Sequence, residues 1–287
     1  MTSETTTRPG EAARCARLVR IYGSVTGEVH ALRGVDATFP THTVTAVTGP
    51  SGSGKSSLLQ VLALRERQSG GELWVAGHDT GRLSRTTLRT LRRTAVAWVA
   101  QRPTHGLFEH LTATEQLAQV AALRGADRAL APALLERLGL AGRERSRARE
   151  LSGGEQQRLA VAAAVLGGPA LVVADEPTAE LDDASSALVL AELRRCAADG
   201  AAVVLATHDR RAVAAADRVM HLRHGVLSTQ SSAGGPATAS IDSTGRLQLS
   251  AEALLLFPDR RARVVVEADG VRLLPPDPPH AGGGDRG

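Results

Sequence analysis

The stretch GPSGSGKS, Gly49 to Ser56, limits the possible folds more than any other part of the chain. It follows THTVTAVTG, a β-branched and apolar run that reads as a buried strand. It opens KSSLLQVLALRER, where Leu58, Leu59, Val61, Leu62 and Leu64 fall largely on one side of a predicted helix. Strand, glycine-rich turn and helix in that order aim main-chain N–H groups and a helix N-terminus at one point, which favours an anion. Gly49, Gly52 and Gly54 permit the turn that Pro50, Ser51 and Ser53 complete. Lys55 is the one lysine among 34 lysines and arginines. An ammonium on a slim stem fits between phosphate oxygens where a planar guanidinium does not, so this is the position where arginine would not serve. Lys55 can reach β- and γ-phosphates, and Ser56 can ligate Mg²⁺. The motif alone leaves open a glycine-rich turn without a ligand.

Further along, LVVADEP and AAVVLATHD are short continuous apolar runs, as expected of strands buried on both faces. Strands alternating with helices from about residue 16 to 227 predict a parallel sheet covered by helices. Between about 101 and 167 the strand signal lapses, and LTATEQLAQVAALRG and ALAPALLERLGL predict a helical insert. Residues 228–240 have linker composition, 241–275 read as a small strand-rich appendage, and 1–15 and 276–287 are expected to be disordered. No internal repeat is seen, so one such unit is expected.

Composition narrows the function classes. Aromatics make up 2% of the 287 residues, so the core must be built from Ala, Val and Leu. A net charge of +4 is too small for this length to indicate nucleic acid. Two isolated cysteines, Cys15 and Cys196, have no metal or redox spacing and fit a reducing compartment. No run approaches the roughly 18 apolar residues of a membrane span, and the first residues lack the apolar core of a secretory leader.

Two more motifs carry chemistry. LVVADEP ends in Asp175 and Glu176 at the predicted C-terminal edge of a strand, where parallel α/β sheets bind ligands. Asp175 can hold Mg²⁺ through water, and Glu176 can take a proton from an attacking water or orient it. A pair of surface acids capping the next helix is the plain alternative. LSGGEQQR, Leu151 to Arg158, offers a capping box from Ser152 to Glu155. The box does not explain Gly153 and Gly154, which bare a second helix N-terminus to an anion. One phosphate chain does not need two such cradles from one copy, but two copies closing on each other would.

With these motifs in this order, residues 16–227 resemble the ATPase subunit of an ABC (ATP-binding cassette) transporter. The resemblance implies a P-loop NTPase fold of α/β class with a helical subdomain, and ATP with Mg²⁺ as cofactors. It implies a role for Gln101 in WVAQRP in sensing Mg²⁺ and the attacking water, and for His208 in LATHD in contacting the γ-phosphate. Tyr22, the single tyrosine, matches the aromatic that stacks on adenine, and Asp182 in AELD matches the loop that contacts the opposite subunit. The implied catalytic set is Glu176, His208, Gln101 and Lys55. The metal set is Ser56, Gln101 and Asp175. The nucleotide set is Tyr22, Gly49 to Ser57, Ser152, Gly153, Gly154 and Asp182.

Stretches such as YGSVTGEVHALRGV resemble the macrolide-export and lipoprotein-release branch, which includes a cell-division ATPase that signals through a permease. Ser57 stands in place of the usual threonine, Ala100 of phenylalanine and Ala163 of arginine. The implied function is a homodimer that closes on two ATP to drive separate membrane permease subunits, on the cytoplasmic face of the membrane, for export or mechanical signalling. Leu107, Phe108 and Leu111 are expected to be its apolar contacts. The alternative is a soluble non-transport ATPase with a regulatory C-terminal binding module. For that module, Gly245, Arg246, Leu247, the strand Val264 to Val266 and a turn at Asp269 and Gly270 weakly resemble a swapped-hairpin, AbrB-like fold. Arg260, Arg261 and Arg263 are expected to be a solvated basic turn.

Overall fold

A computed structural model of the chain describes residues 10–24 and 27–232, and in the C-terminal segment 238–239, 247, 249, 251–257, 259, 261–267 and 270–276. Two long strands, β1 (Glu11–Ser24) and β2 (Gly27–Pro40), pair antiparallel from Glu11 opposite Pro40 to Ser24 opposite Gly27. The second half of β2 alternates between buried and exposed residues, with Leu32, Val35, Ala37 and Phe39 inward, so one face packs and the other is wet.

β3 (Thr43–Thr48) is one of five parallel strands in the main sheet, lying between two others. β4 (Gly70–Val75) and β5 (His78–Asp79) complete the antiparallel sheet in the order β2-β1-β4-β5. The main sheet runs from β6 (Val96–Val99) through β7 (Leu171–Asp175), β8 (Ala202–Ala206) and β3 to β9 (Arg218–Arg223). β10 (Val226–Ser232) and β11 (Thr238–Ala239) extend it antiparallel.

Each parallel strand sends alternate residues to opposite cores. Val44, Ala46, Val172, Ala174, Val203 and Leu205 face one. Val47, Leu171, Val173, Val204 and Ala206 face the other, with β1, β2 and α1 (Lys55–Leu62). Burial on both faces is why these strands read as unbroken apolar runs.

Four elements differ from expectation. The first strands form their own antiparallel sheet instead of joining the alternation. β1 starts at Glu11, inside the segment expected to be disordered, because Ala12, Ala13 and Cys15 are buried there; residues 1–9 lie outside the described residues. The helix expected through Arg67 stops at Leu62, since Leu64 turns to φ 55° with its side chain buried. The N–H groups of Arg65 and Glu66 both return to the Gln60 carbonyl. The expected linker is a strand as far as Ser232, because β10 pairs along β9.

α2 (Arg85–Ala95) leads into β6, and the insert holds α3 (Ala113–Arg124), α4 (Ala131–Arg137) and α5 (Gly153–Val165). A Thr112–Glu115 capping box starts α3. Arg124 ends it and donates to the carbonyls of Ala164 (2.6 Å) and Leu166 (2.7 Å), tying it to the C-terminal end of α5. Arg137 clasps Glu192 of α6 (Asp183–Ala198) with two bonds of 2.8 and 2.9 Å. α7 (Arg210–Ala214) precedes β9. Beyond β11 come α8 (Ala251–Leu255) and a hairpin of β12 (Arg263–Glu267) and β13 (Gly270–Leu274). Gly245, Arg246, Arg260 and Asp269 lie outside the described residues.

Leu117 of α3 is fully buried in the core that the insert shares with the main sheet. Leu117→Ala is expected to lower unfolding stability by about 2–5 kcal/mol. The check is a lower urea midpoint at unchanged m-value.

Candidate active site

The parallel strands end in register. Val47 of β3 lies beside Ala206 of β8, Ala206 beside Asp175 of β7, and Ala174 beside Val99 of β6. The segments that leave these ends are Gly49 to Ser56, Thr207 and His208, Glu176, and Gln101. All therefore leave the same edge of the sheet, the edge at which open α/β sheets bind ligands.

The three loop glycines do different work. A Cβ on Gly49 would lie 2.0 Å from the Leu222 carbonyl oxygen, and one on Gly54 would lie 2.4 Å from that of Ala31. These glycines let the loop press against β9 and β2. A Cβ on Gly52 would meet nothing within 4 Å, so Gly52 borders open space, with φ 74°. Beyond it, the first-turn N–H groups of α1 have no acceptor within the helix. Lys55 folds over this loop, its Nζ donating to the carbonyls of Gly49 (2.7 Å) and Pro50 (3.1 Å).

The Ser56 hydroxyl lies near enough to the Asp175 carboxyl to favour its charged form. Burial raises the Asp175 carboxyl above its ordinary value, and the nearby Glu176 adds to the rise, while Ser56 and Lys55 pull it down. Next to it, Glu176 takes φ 48°, a strained conformation for a residue with a Cβ. Its N–H is held by the Ala206 carbonyl at 2.9 Å. Its Oε1 lies 2.8 Å from Nδ1 of His208, which donates as the Nδ1–H tautomer or as imidazolium.

Other expected residues are set by neighbouring elements. Gln101 is exposed two residues beyond the end of β6. The Tyr22 hydroxyl donates to Glu66 Oε2 (2.5 Å) and approaches Ser57 Oγ (3.3 Å), while the Arg20 guanidinium lies over the ring at 4.2 Å. At most one ring face is left for a base. Ser152 and Glu155 form the expected capping box at the start of α5, with Ser152 and Gly153 exposed. Asp182 caps α6, accepting from Ser185 N (2.7 Å) and Ser185 Oγ (3.0 Å), and the Ser185 N–H lowers its pKa. Within one copy its partners belong to its own helix. Of the three residues expected to be permease contacts, Leu107 is buried in the core, Leu111 is half-buried and Phe108 is 58% exposed.

Sequence reasoning missed His221 and Glu66. His221 Nδ1 lies 3.0 Å from Thr48 Oγ1 beside the loop. Burial lowers its pKa, helped by the charges of Arg223 and Lys55. Neither residue sits in a motif, so only the fold shows its place.

The donors fit a Mg²⁺–nucleotide. A hydroxyl, a half-buried carboxyl and an ammonium meet beside an open cradle. Among the described residues no three His, Cys, Asp or Glu cluster to hold a metal unaided. That suits Mg²⁺, which takes few protein ligands and is completed by phosphate oxygens and water.

A family model described as ABC transporter matches residues 32–179. The lipoprotein-releasing system ATP-binding protein LolD of Novosphingobium aromaticivorans is 42% identical over 210 residues, 71% of this chain and 92% of that one. The chain belongs to the ABC transporter family.

Its fold is that of an ABC ATPase cassette. It is similar to a dimeric ATP-binding cassette in a post-hydrolysis state bound to ADP and Pi, with TM-score 0.71 and 27% identity over 77% of this chain and 98% of that chain. It is 38% identical to the macrolide export ATP-binding/permease protein MacB of Nitrobacter winogradskyi, over 78% of this chain and 35% of that protein. The pyoverdine export ATP-binding/permease protein PvdT of Pseudomonas fluorescens is 39% identical over 79% of this chain, again 35% of the relative. The cassette thus spans about a third of the length of these ATP-binding/permease relatives.

Lys55→Arg is expected to fail as a replacement although arginine serves at every other basic position, because the forked guanidinium cannot sit as a point charge on the loop carbonyls. ATP affinity and turnover should both fall at least tenfold. Values within about twofold of the parent would make the lone lysine incidental to binding.

Proposed function

We propose that this cassette binds and hydrolyses ATP as a homodimer and drives a separate membrane permease, in export or mechanical signalling. The observation that carries the reading is the meeting of Lys55 and the open Gly52 cradle with Ser56, Asp175 and Glu176 at one sheet edge. Lys55 and the loop N–H groups bind the β- and γ-phosphates. Mg²⁺, held by Ser56 and Asp175 with Gln101 approaching, would neutralise charge on those phosphates. Glu176 orients the attacking water and takes its proton, and His208 holds the carboxylate in place and reaches the γ-phosphate. The exposed start of α5 offers the N–H groups of Gly153 and Gly154 to nucleotide on the second copy, the Ser152 N–H being donated to Glu155.

Similarity to export and lipoprotein-release proteins favours the permease partner over the soluble alternative. Among the described residues no helix is long and apolar enough to cross a membrane, so the spanning part belongs to a partner or to residues outside this description. A cavity of about 240 Å³ lies beside the Gln101 loop, lined by Trp98, Ala100, Val120 and Leu123 together with Arg92, Arg93 and Arg124. It supports a permease contact beside that loop.

Glu176→Gln is expected to bind ATP and accumulate a dimer while turnover falls about 10²- to 10⁴-fold. Steady-state ATPase and mass in solution with ATP are the measurements. Near-normal turnover would overturn the assignment.

The C-terminal hairpin favours a role in dimerisation. Its sheet contains only β12 and β13 among the described residues, with Val264, Val266 and Val271 exposed, as is Leu255 of α8 at 81%. A lone two-stranded hairpin is marginal in water, so a second copy would supply the missing layer and raise the effective concentration of cassettes. Ending the chain after Ala239 should lower the nucleotide-free dimer fraction in ultracentrifugation and make ATPase activity depend more steeply on protein concentration. An unchanged monomer–dimer balance refutes the tether.

A further inference from the structure

We infer that Gln157 is a positioning residue that sets Glu176 and the Gln101 loop at their working separation, without itself touching ATP. The inference rests on the ATPase reading above.

Gln157 lies on α5, one turn past Gly153, and is only 3% exposed. A buried amide is costly unless bonded. Its Nε2 donates to the Pro177 carbonyl at 3.2 Å and, more weakly, to the Ala100 carbonyl at 3.5 Å. Both partners are acceptors, which fixes the amide with nitrogen toward them; the flipped rotamer would set oxygen against two oxygens. The same amide leaves Oε1 buried without a partner. A side chain placed only to fill space would be apolar here, because an unpaired buried acceptor costs stability.

What the two carbonyls belong to gives the amide its role. Pro177 follows Glu176, whose φ of 48° must be held by its surroundings. Ala100 precedes Gln101. β6 and β7 are neighbours in register, so these turns leave the sheet side by side, with no strand bonds beyond Val99 and Asp175 to fix their spacing. One side chain bridges that gap, and it comes from the helix whose N-terminus is Ser152–Gly154. Gly153 to Gln157 spans about 6 Å of helix axis, so a shift at that N-terminus moves the amide with it. The next residue, Arg158, bonds Ser185 near the Asp182 cap, holding the same helix to α6. A nucleotide on the second copy that engages Ser152–Gly154 would in this way bear on Glu176 of this copy.

The test is Gln157→Met, which keeps length and volume but cannot donate, alongside Gln157→Glu, an acceptor without the donor. In the parent, ATPase activity lost on Glu176→Gln establishes the reading first. In Gln157→Met, kcat should fall about 10- to 100-fold with KM and ATP affinity within about twofold, as expected of a misplacement near 1 Å. Gln157→Glu should show the same loss. In the Glu176→Gln background Gln157→Met should lower the residual rate by a smaller factor than in the parent, since part of its effect acts through that carboxylate. Hydrogen exchange needs no turnover: amides at 101–106 and 178–180 should exchange faster in Gln157→Met, with those of α3 and β8 unchanged. An unchanged kcat, an equal fall of kcat in the Glu176→Gln background, or unchanged exchange in both turns overturns the proposal.

Discussion

The parallel register of β3, β8, β7 and β6 is the constraint on which the site depends. Val47, Ala206 and Asp175 lie side by side, so the phosphate loop, His208 and Glu176 leave the sheet at one level. Main-chain bonds extend the alignment past the strand ends, from Glu176 N to Ala206 O and from Thr207 N to Val47 O. A slip of one residue in any strand would exchange the side chains that face the two cores and move its loop away from the others. Unbroken burial on both faces therefore fixes the chemistry indirectly, by fixing the register.

The phosphate loop shows how a short motif serves packing and binding together. Gly49 and Gly54 are glycine because the backbones of β9 and β2 come too close for any side chain. Gly52 has positive φ and faces open space. Substituting the first two disturbs the seat of the loop, while substituting the third intrudes on what the loop holds. Lys55, folded onto the carbonyls of Gly49 and Pro50, closes the arrangement with a mobile charge.

The helical insert is joined to the sheet by a few polar clasps within an aliphatic core. Arg124 closes the end of α5, Arg137 grips Glu192, and Gln157 spans the turns after β6 and β7. With so few aromatics, the apolar contacts are mostly Ala, Val and Leu, which pack closely without strong directional preference. The directional bonds are what set the orientation of the insert against the sheet: Arg124 reaches the start of β6 at Val96, while Gln157 bonds at the catalytic edge.

The sequence by itself determined the parallel core, the phosphate loop, the Asp175–Glu176 strand end and the capping box at Ser152, because each is written in contiguous residues whose burial or capping is local. Leu58 and Leu59 face the core as the helical spacing required. The separate antiparallel sheet was not legible, since β1 pairs on its other side with β4, which lies beyond the phosphate loop and α1 in the chain. Nor were the bond from Tyr22 to Glu66, the place of His221, the cap role of Asp182 or the reach of Gln157. Hydrophobic periodicity reports which face of an element is buried, but not which element covers it. Tertiary structure alone decided those pairings, because a side chain's hydrogen-bond partner depends on where distant backbone has been folded.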